Sequence, residues 1–166
     1  MSPERSAGIE LLRLRQEVHA ELGALDLMRS RLERVARVGL PGSAEEAISA
    51  LLAVDLHGYY GAVEAIFSRI SRVVEGGLPK GADWHRDLLR SMSLDLPEVR
   101  PAVISQESEQ QLLPLLSFRH FFRHAYAVTL DRARLLGHAE RVLGVHARLR
   151  EELTRFVDQA TGSLEP

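Results

Sequence analysis

Residues 117–126, with the sequence SFRHFFRHAY, repeat an Arg-His pair after four residues. The pairs are Arg119-His120 and Arg123-His124, and two phenylalanines lie between them. Four basic side chains repel one another and are costly to bury. The segment is therefore either a solvated helix end or a place where an anion binds.

Helix geometry places these basic groups in one outward sector. Successive residues of an α-helix rotate by about 100°, so Arg123, His120 and His124 lie about 40°, 100° and 140° from Arg119. The same geometry puts Tyr126 at the edge of the sector, beside Arg119. The opposite side is apolar, and we expect its residues to pack into the protein: Phe118, Phe121, Phe122 and Ala125.

Leucines occupy the basic sector one to two turns earlier, at Leu112, Leu113 and Leu116. A helix face that is fully exposed to water is not rich in leucine. We therefore expect another helix or another subunit to cover the sector. If a twofold partner covers it, two basic clusters face each other across one positive groove.

Three interpretations of the basic cluster follow from its residue types. Cations near a helix C-terminus are stabilised by the macrodipole, by about 0.3–1 kcal/mol each, without any ligand. His120 and His124 have the i, i+4 spacing of two metal ligands, but no third ligand is evident and the arginines oppose a cation. We therefore predict no metal and no other cofactor.

The third interpretation is cleavage of RNA. Histidine exchanges protons near neutral pH, and arginine binds phosphate and stabilises charge that develops on it. RNA carries its own nucleophile, the 2′-hydroxyl, so these two side chain types suffice. The residues alone leave the macrodipole and the RNA interpretations open.

Composition limits the class of protein. The chain has 166 residues, 45% hydrophobic and 27% charged, and a formal net charge of −2. No global basic field attracts nucleic acid, so any such binding must be local. The absence of cysteine excludes disulfides, thiolate nucleophiles and thiolate zinc sites. No signal peptide and no run of about 18 apolar residues is present, so we expect a cytoplasmic protein that does not contact a membrane.

Periodicity predicts five helical regions and no strand. Apolar residues recur at three- and four-residue steps, over residues 7–38, 44–75, 84–93, 106–125 and 132–160. Candidate N-caps precede four of them, at Ser43, Asp83, Ser105 and Asp131. The last region is expected to bend near Gly144. The fold class is all-α, an antiparallel up-and-down bundle.

The bundle is predicted to form one domain. Residues 1–42 supply a long first helix and a turn, residues 43–160 the core, and residues 161–166 a flexible tail. Within the second helix, Gly58 and Gly61 leave room for a side chain or a second backbone to come close.

Further residues near the glycines have two interpretations each. Glu64 lies on their side of the helix and could orient an arginine of the cluster, although a solvated glutamate is the simpler interpretation. The tyrosines of GYYG (58–61) are expected in the core rather than in a groove. Trp84 is expected to anchor the core. The histidines outside the cluster share no spacing and are expected to be surface or edge residues: His19, His57, His85, His138 and His146.

The pattern Arg-x4-His-x-Tyr, formed by Arg119, His124 and Tyr126, resembles the signature of HEPN-domain ribonucleases. More narrowly it resembles HepT, the toxin of MNT–HepT toxin–antitoxin pairs. Three further stretches resemble HepT-like proteins: LHGYYGAVEAIFSRISRVVEGGLPKGADWHRDLL, PAVIS and FRHFFRHAYAVTLD. The resemblance extends over about residues 50–136.

The resemblance implies a helical bundle that forms a homodimer and cleaves RNA without metal in a composite cleft. It implies that Arg119 and His124 are the catalytic pair, with His120 and Arg123 as supporting phosphate-binding residues. His120 stands where many HEPN motifs have Asn. The resemblance also implies that an MNT-type nucleotidyltransferase antitoxin transfers AMP to Tyr126 and so silences the toxin.

An alternative from the same resemblance is a non-catalytic HEPN module that binds and assembles with a nucleotidyltransferase. The first helix is the part least like the family. It could be an added bundle helix, a dimer arm or a surface for the antitoxin.

Overall fold

A computed structural model describes residues 3–39, 42, 44–124 and 130–162, with backbone only at residues 3 and 4. In this part of the chain five helices follow one another: α1 Pro3–Val38, α2 Glu45–Val74, α3 Trp84–Met92, α4 Gln106–His124 and α5 Arg132–Gly162. Within these ranges there is no strand, only an isolated bridge between Leu96 and Arg100. The prediction of an all-α, five-helix bundle is confirmed.

Helix α2 is the centre of the bundle, because it contacts each of the other four helices. Its residues Tyr59 and Tyr60 are 0% and 1% exposed, which confirms that the tyrosines belong to the core. Helix α1 packs lengthwise against α2 and α5. Leu11, the first apolar position of the series predicted for α1, is partly buried, and the other six are buried: Leu14, Val18, Leu22, Leu25, Leu32 and Val35.

A buried polar network joins the three longest helices. His146 of α5 contacts the hydroxyl of Tyr59 through Nδ1, at 3.0 Å, and Oδ1 of Asp26 through Nε2, at 2.8 Å. His146 is only 8% exposed. The prediction that this histidine lies at the surface is therefore wrong. Burial of its ring is tolerated because both nitrogens have partners.

The connection between α3 and α4 is fixed by one buried arginine. Arg100 is 5% exposed and donates to Oε1 of Glu75 and to the carbonyls of Ser91, Leu94 and Pro101. A guanidinium has five N–H donors, and its acceptors here come from the end of α2, from α3 and from the loop itself. The arginine thereby ties the loop to the end of α2 and to α3.

Two of the predicted caps are confirmed. The Ser108 N–H donates to Oγ of Ser105 at 3.2 Å, and the N–H of Ala133 donates to Oδ1 of Asp131 at 2.9 Å. Asp83 precedes α3, but its side chain makes no cap hydrogen bond, so that prediction is wrong. Ser43 lies outside the described residues.

The end of the chain differs from the prediction in two ways. Helix α5 is one continuous element, so the last region is not divided into two helical segments near Gly144. The helix also continues through Thr161 and Gly162, which were assigned to the tail. Thr161 is 1% exposed, and its hydroxyl donates to the Val157 carbonyl. The rest of the predicted tail lies outside the described residues.

Candidate active site

Arg119 occupies a core-facing position of α4. The inward positions of this helix follow steps of four and three residues: Ser108, Leu112, Leu115, Arg119 and Phe122. The Arg119 side chain is 19% exposed and extends towards α2. The expectation that another helix covers this part of the sector is confirmed. The expectation that all four basic groups point outward is wrong for Arg119.

Gly61 of α2 makes room for the guanidinium. A Cβ atom at Gly61 would lie 2.8 Å from Nη1 of Arg119 and 3.4 Å from its Cζ. Any other residue type at this position would displace the arginine, because real Cβ contacts are not that short. The predicted role of this glycine, to let a side chain come close, is confirmed.

Two residues of α2 hold the guanidinium. Nη1 of Arg119 donates to Nε2 of His57 at 3.1 Å, and Nη2 lies 3.6 Å from Oε1 of Glu64. Glu64 is 7% exposed, so the simpler interpretation of a solvated glutamate is wrong. Glu64 instead orients an arginine of the cluster, which was the other interpretation. Arg119 is therefore held in place before any ligand arrives.

His57 is neutral in this arrangement. A guanidinium only donates hydrogen bonds, so Nε2 of His57 must accept, and its hydrogen is on Nδ1. Burial, and then the charges of Arg119 and Arg123, lower the pKa of His57 below its ordinary value, although Glu64 opposes this. Phe122 packs on the ring, with centroids 5.5 Å apart. His57 is partly buried, which agrees with the expectation of a surface or edge residue.

Glu64 also binds a histidine from α3. Its Oε2 lies 2.7 Å from Nδ1 of His85, whose ring stacks on Trp84 with centroids 3.7 Å apart. His85 lines a cleft of about 290 Å³ between α3 and α4. The other residues around this cleft are Ala82, Asp83, Arg86, Leu116, Ser117 and His120.

The other basic residues of the cluster face outward. His120, Arg123 and His124 are exposed. Nδ1 of His124 donates to the His120 carbonyl at 2.8 Å, which leaves Nε2 of the neutral ring able to accept a proton. Phe121 is 49% exposed, so the prediction that it packs inward is wrong, whereas Phe118 and Phe122 pack against the core as predicted.

One protomer thus directs Arg119 and His124 in different directions from the same helix. Arg119 faces α2, and His124 lies about 140° further around α4. Tyr126, Ala125 and the turn that follows lie outside the described residues. Within the described ranges no group of three His, Asp or Glu side chains could hold a metal ion. The same ranges contain no helix long and apolar enough to cross a membrane.

Sequence reasoning did not identify His57 or His85 as site residues. Both lie outside the motif, at separations of 62 and 21 residues from their partners Arg119 and Glu64. The only sequence signal was the pair Gly58 and Gly61, which marked this stretch of α2 as a place of close approach.

The fold and site define a class: an all-α bundle in which one helix carries an arginine–histidine motif supported by its neighbours. The chain belongs to the HepT-like protein family, whose model matches residues 51–160. This match begins inside α2 and includes every residue of the site described above. No curated protein and no solved structure matches the chain.

Proposed function

We propose that the protein is a metal-independent endoribonuclease that acts in the cytoplasm as the toxin of a toxin–antitoxin pair. The observation that carries this proposal is the arrangement of Arg119. Its guanidinium lies over Gly61 and is oriented by His57 and Glu64. An arginine held this way loses little conformational freedom when it binds a phosphate. Membership of the HepT-like family supports the same function.

The proposed reaction uses the 2′-hydroxyl of RNA as the nucleophile. Nε2 of His124 accepts the hydroxyl proton while the bond from O2′ to phosphorus forms and the bond from phosphorus to O5′ breaks. Arg119 binds the phosphate and stabilises the charge of the pentacovalent transition state. The products are a 2′,3′-cyclic phosphate and, after proton uptake, a 5′-hydroxyl. His120 and Arg123 bind neighbouring phosphates.

We propose that the active form is a homodimer, with Arg119 from one protomer and His124 from its partner at each site. The different directions of the two side chains in one protomer support this arrangement. Leu113 and Phe121, which are 37% and 49% exposed, flank the outward histidines on α4. Contact with a second protomer would cover these two apolar side chains.

The proposed antitoxin is a nucleotidyltransferase of the MNT type, which transfers AMP to Tyr126. The support is the motif, in which Tyr126 follows His124 by two residues. A bulky anionic adduct so near the catalytic histidine would compete with RNA phosphate for the arginines. Co-expression with the neighbouring nucleotidyltransferase gene should add AMP mass to the wild type and none to Tyr126→Phe. An unmodified wild type beside an active partner would contradict this part of the proposal.

A second candidate function is a non-catalytic module that assembles with a nucleotidyltransferase. One observation favours it: donors of Arg119 are already occupied by His57 and Glu64. In this alternative the arginine is a structural link between α2 and α4, and the outward cations hold nucleotide or RNA without cleaving it.

An RNA assay in EDTA separates the two functions. Wild type should produce fragments that end in 2′,3′-cyclic phosphate, and Arg119→Ala and His124→Ala should produce none. Matched controls are Arg134→Ala and His19→Ala. The Arg134 side chain is 84% exposed, and His19 lies 3.5 Å from Asp158 of α5. Both controls should cleave like wild type. Absence of cleavage by folded wild-type protein would favour the module.

Mixing the two inactive variants tests the composite site. In a dimer that mixes Arg119→Ala with His124→Ala, one of the two sites regains both residues. Since half of the dimers are mixed after subunit exchange, about one quarter of wild-type activity should return. No recovery, despite exchange demonstrated by mass spectrometry, would place both residues of a site in one protomer.

A further inference from the structure

The pair formed by Glu64 and His85 is built like the carboxylate–imidazole pairs of hydrolytic enzymes. Oε2 of Glu64 lies 2.7 Å from Nδ1 of His85. An ionised carboxylate only accepts, so Nδ1 carries a hydrogen and Nε2 is the nitrogen that exchanges protons. The stacked Trp84 ring, tilted by 29°, restrains the imidazole from a second side.

His85 has access to a ligand as well as a fixed orientation. Its side chain is 25% exposed and lines the α3–α4 cleft together with Arg86, Ser117 and His120. A histidine with a purely structural role is usually enclosed by its partners, as His146 is, whereas His85 keeps one side open to a cleft that basic groups surround. Asp83 is the acidic side chain at its rim.

Glu64 links this histidine to the phosphate-binding arginine. One carboxylate oxygen contacts His85 and the other lies 3.6 Å from Nη2 of Arg119. The imidazole of His85 and the guanidinium of Arg119 are therefore held about one carboxyl group apart. A phosphate bound to Arg119 would lie within reach of a group in the adjoining cleft.

We propose that His85 is the general acid of RNA cleavage, and that Glu64 is the residue that positions it. This inference rests on the proposed function. His124 accepts the proton of the 2′-hydroxyl as the bond from O2′ to phosphorus forms. The bond from phosphorus to O5′ breaks, and its electron pair takes a proton from Nε2 of His85. His85 ends neutral and His124 protonated, and exchange with water restores both.

The acid role suits His85 better than the base role because Glu64 compensates the charge of an imidazolium. His124, by contrast, is exposed and donates Nδ1–H to an uncharged carbonyl. Cleavage of a phosphodiester requires one proton to be removed and one to be delivered. The two histidines therefore divide the reaction between them.

A substrate with sulfur in place of O5′ tests the proposal, because a thiolate leaves without being protonated. The variant is His85→Asn, which keeps an N–H donor for Glu64 and cannot transfer a proton. Cleavage of the oxygen substrate should fall by about 10²-fold or more, while cleavage of the sulfur substrate should stay near wild type. Glu64→Gln should lower cleavage of both substrates, because Glu64 also orients Arg119, and should lower cleavage of the oxygen substrate more. Arg119→Ala should cleave neither substrate, and His19→Asn should cleave both at the wild-type rate.

Each other outcome has a distinct meaning. Equal loss on both substrates, by His85→Asn and by a second variant His85→Gln, would make the histidine structural and overturn the inference. If His85→Asn cleaves the oxygen substrate at the wild-type rate, the inference is overturned as well. If the wild type cleaves neither substrate, the proposed function fails and the inference fails with it. Circular dichroism melts of all variants identify a loss that comes from unfolding.

Discussion

Gly61→Ala should keep or improve the stability of the bundle and remove its activity. The added methyl carbon would lie 2.8 Å from Nη1 of Arg119. The crowded atom is the far end of a flexible side chain, not backbone, so we expect the guanidinium to move while helix α2 stays in place. The perturbation is thus confined to Arg119, the group that we propose binds phosphate.

The two effects have opposite signs. Alanine is favoured over glycine inside a helix by about 0.5–1 kcal/mol, which should raise the melting temperature by about 1–4 °C for a chain of this size. The displaced guanidinium loses its contacts at 3.1 Å to His57 and at 3.6 Å to Glu64. A catalytic group misplaced by about 1 Å lowers a rate by roughly 10²-fold.

Gly58→Ala is the matched control, because the same gain in helix propensity occurs one turn earlier. Its Cβ would meet only Sδ of Met28, at 3.8 Å, an ordinary contact. Thermal unfolding and RNA cleavage in EDTA should be measured for wild type and both variants. If Gly61→Ala cleaves as fast as Gly58→Ala, the position of Arg119 does not limit the reaction. A lower melting temperature than wild type would show that the crowding is not absorbed by the side chain.

Three further substitutions test the polar interior. Arg100→Ala should lower the free energy of unfolding, measured by urea denaturation, by about 3–5 kcal/mol. The reason is that the Glu75 carboxylate and three carbonyls lose their donor. A loss below about 1 kcal/mol would contradict this prediction. His57→Gln should flatten the pH dependence of stability. The pKa of His57 is lower in the folded protein than in the unfolded chain. The stability that neutral His57 contributes is therefore present above about pH 6.5 and is lost as the pH falls through the folded pKa. If the urea midpoint changes equally between pH 7.5 and 5.5 in wild type and His57→Gln, the prediction is wrong. Tyr59→Phe removes the hydroxyl that contacts His146 and should cost about 1–2 kcal/mol. Tyr60→Phe should lower the free energy of unfolding by less, since the Tyr60 hydroxyl has no hydrogen-bond partner in the described part of the chain. Equal losses for the two variants would contradict this prediction.

Helix periodicity was sufficient to predict the fold but not to predict which face of α4 is turned towards the core. The spacing of apolar residues in α1, α2 and α5 identified most of the core, because most of the buried positions of these helices are apolar. In α4 the inward row contains an arginine, and the outward row contains Phe121, which is 49% exposed. A helical wheel fixes the angles between residues but not which angle faces the core. Assigning the phenylalanines inward therefore turned Arg119 outward.

The partners of Arg119 were beyond the reach of sequence patterns for a different reason. His57 and Glu64 meet it only because α2 and α4 cross at Gly61, and His85 joins them only because α3 packs against both helices. These contacts depend on how helices pack in three dimensions. A single sequence contains the motif residues of α4 but no record of the crossing.

The repeated Arg-His pairs that first marked the sequence are therefore not equivalent. Arg119 is enclosed by α2 and restrained by an acid and a neutral histidine, whereas Arg123 is exposed. Shifting a residue by four positions on a helix changes its direction by only about 40°, yet here that difference separates an enclosed, restrained arginine from an exposed one. The distinction comes from α2: Gly61 supplies the space and Glu64 the charge, at one crossing point of the bundle. The family match covers this crossing in full and leaves out all of α1. The residues of the proposed site therefore all lie in the segment that the family model matches.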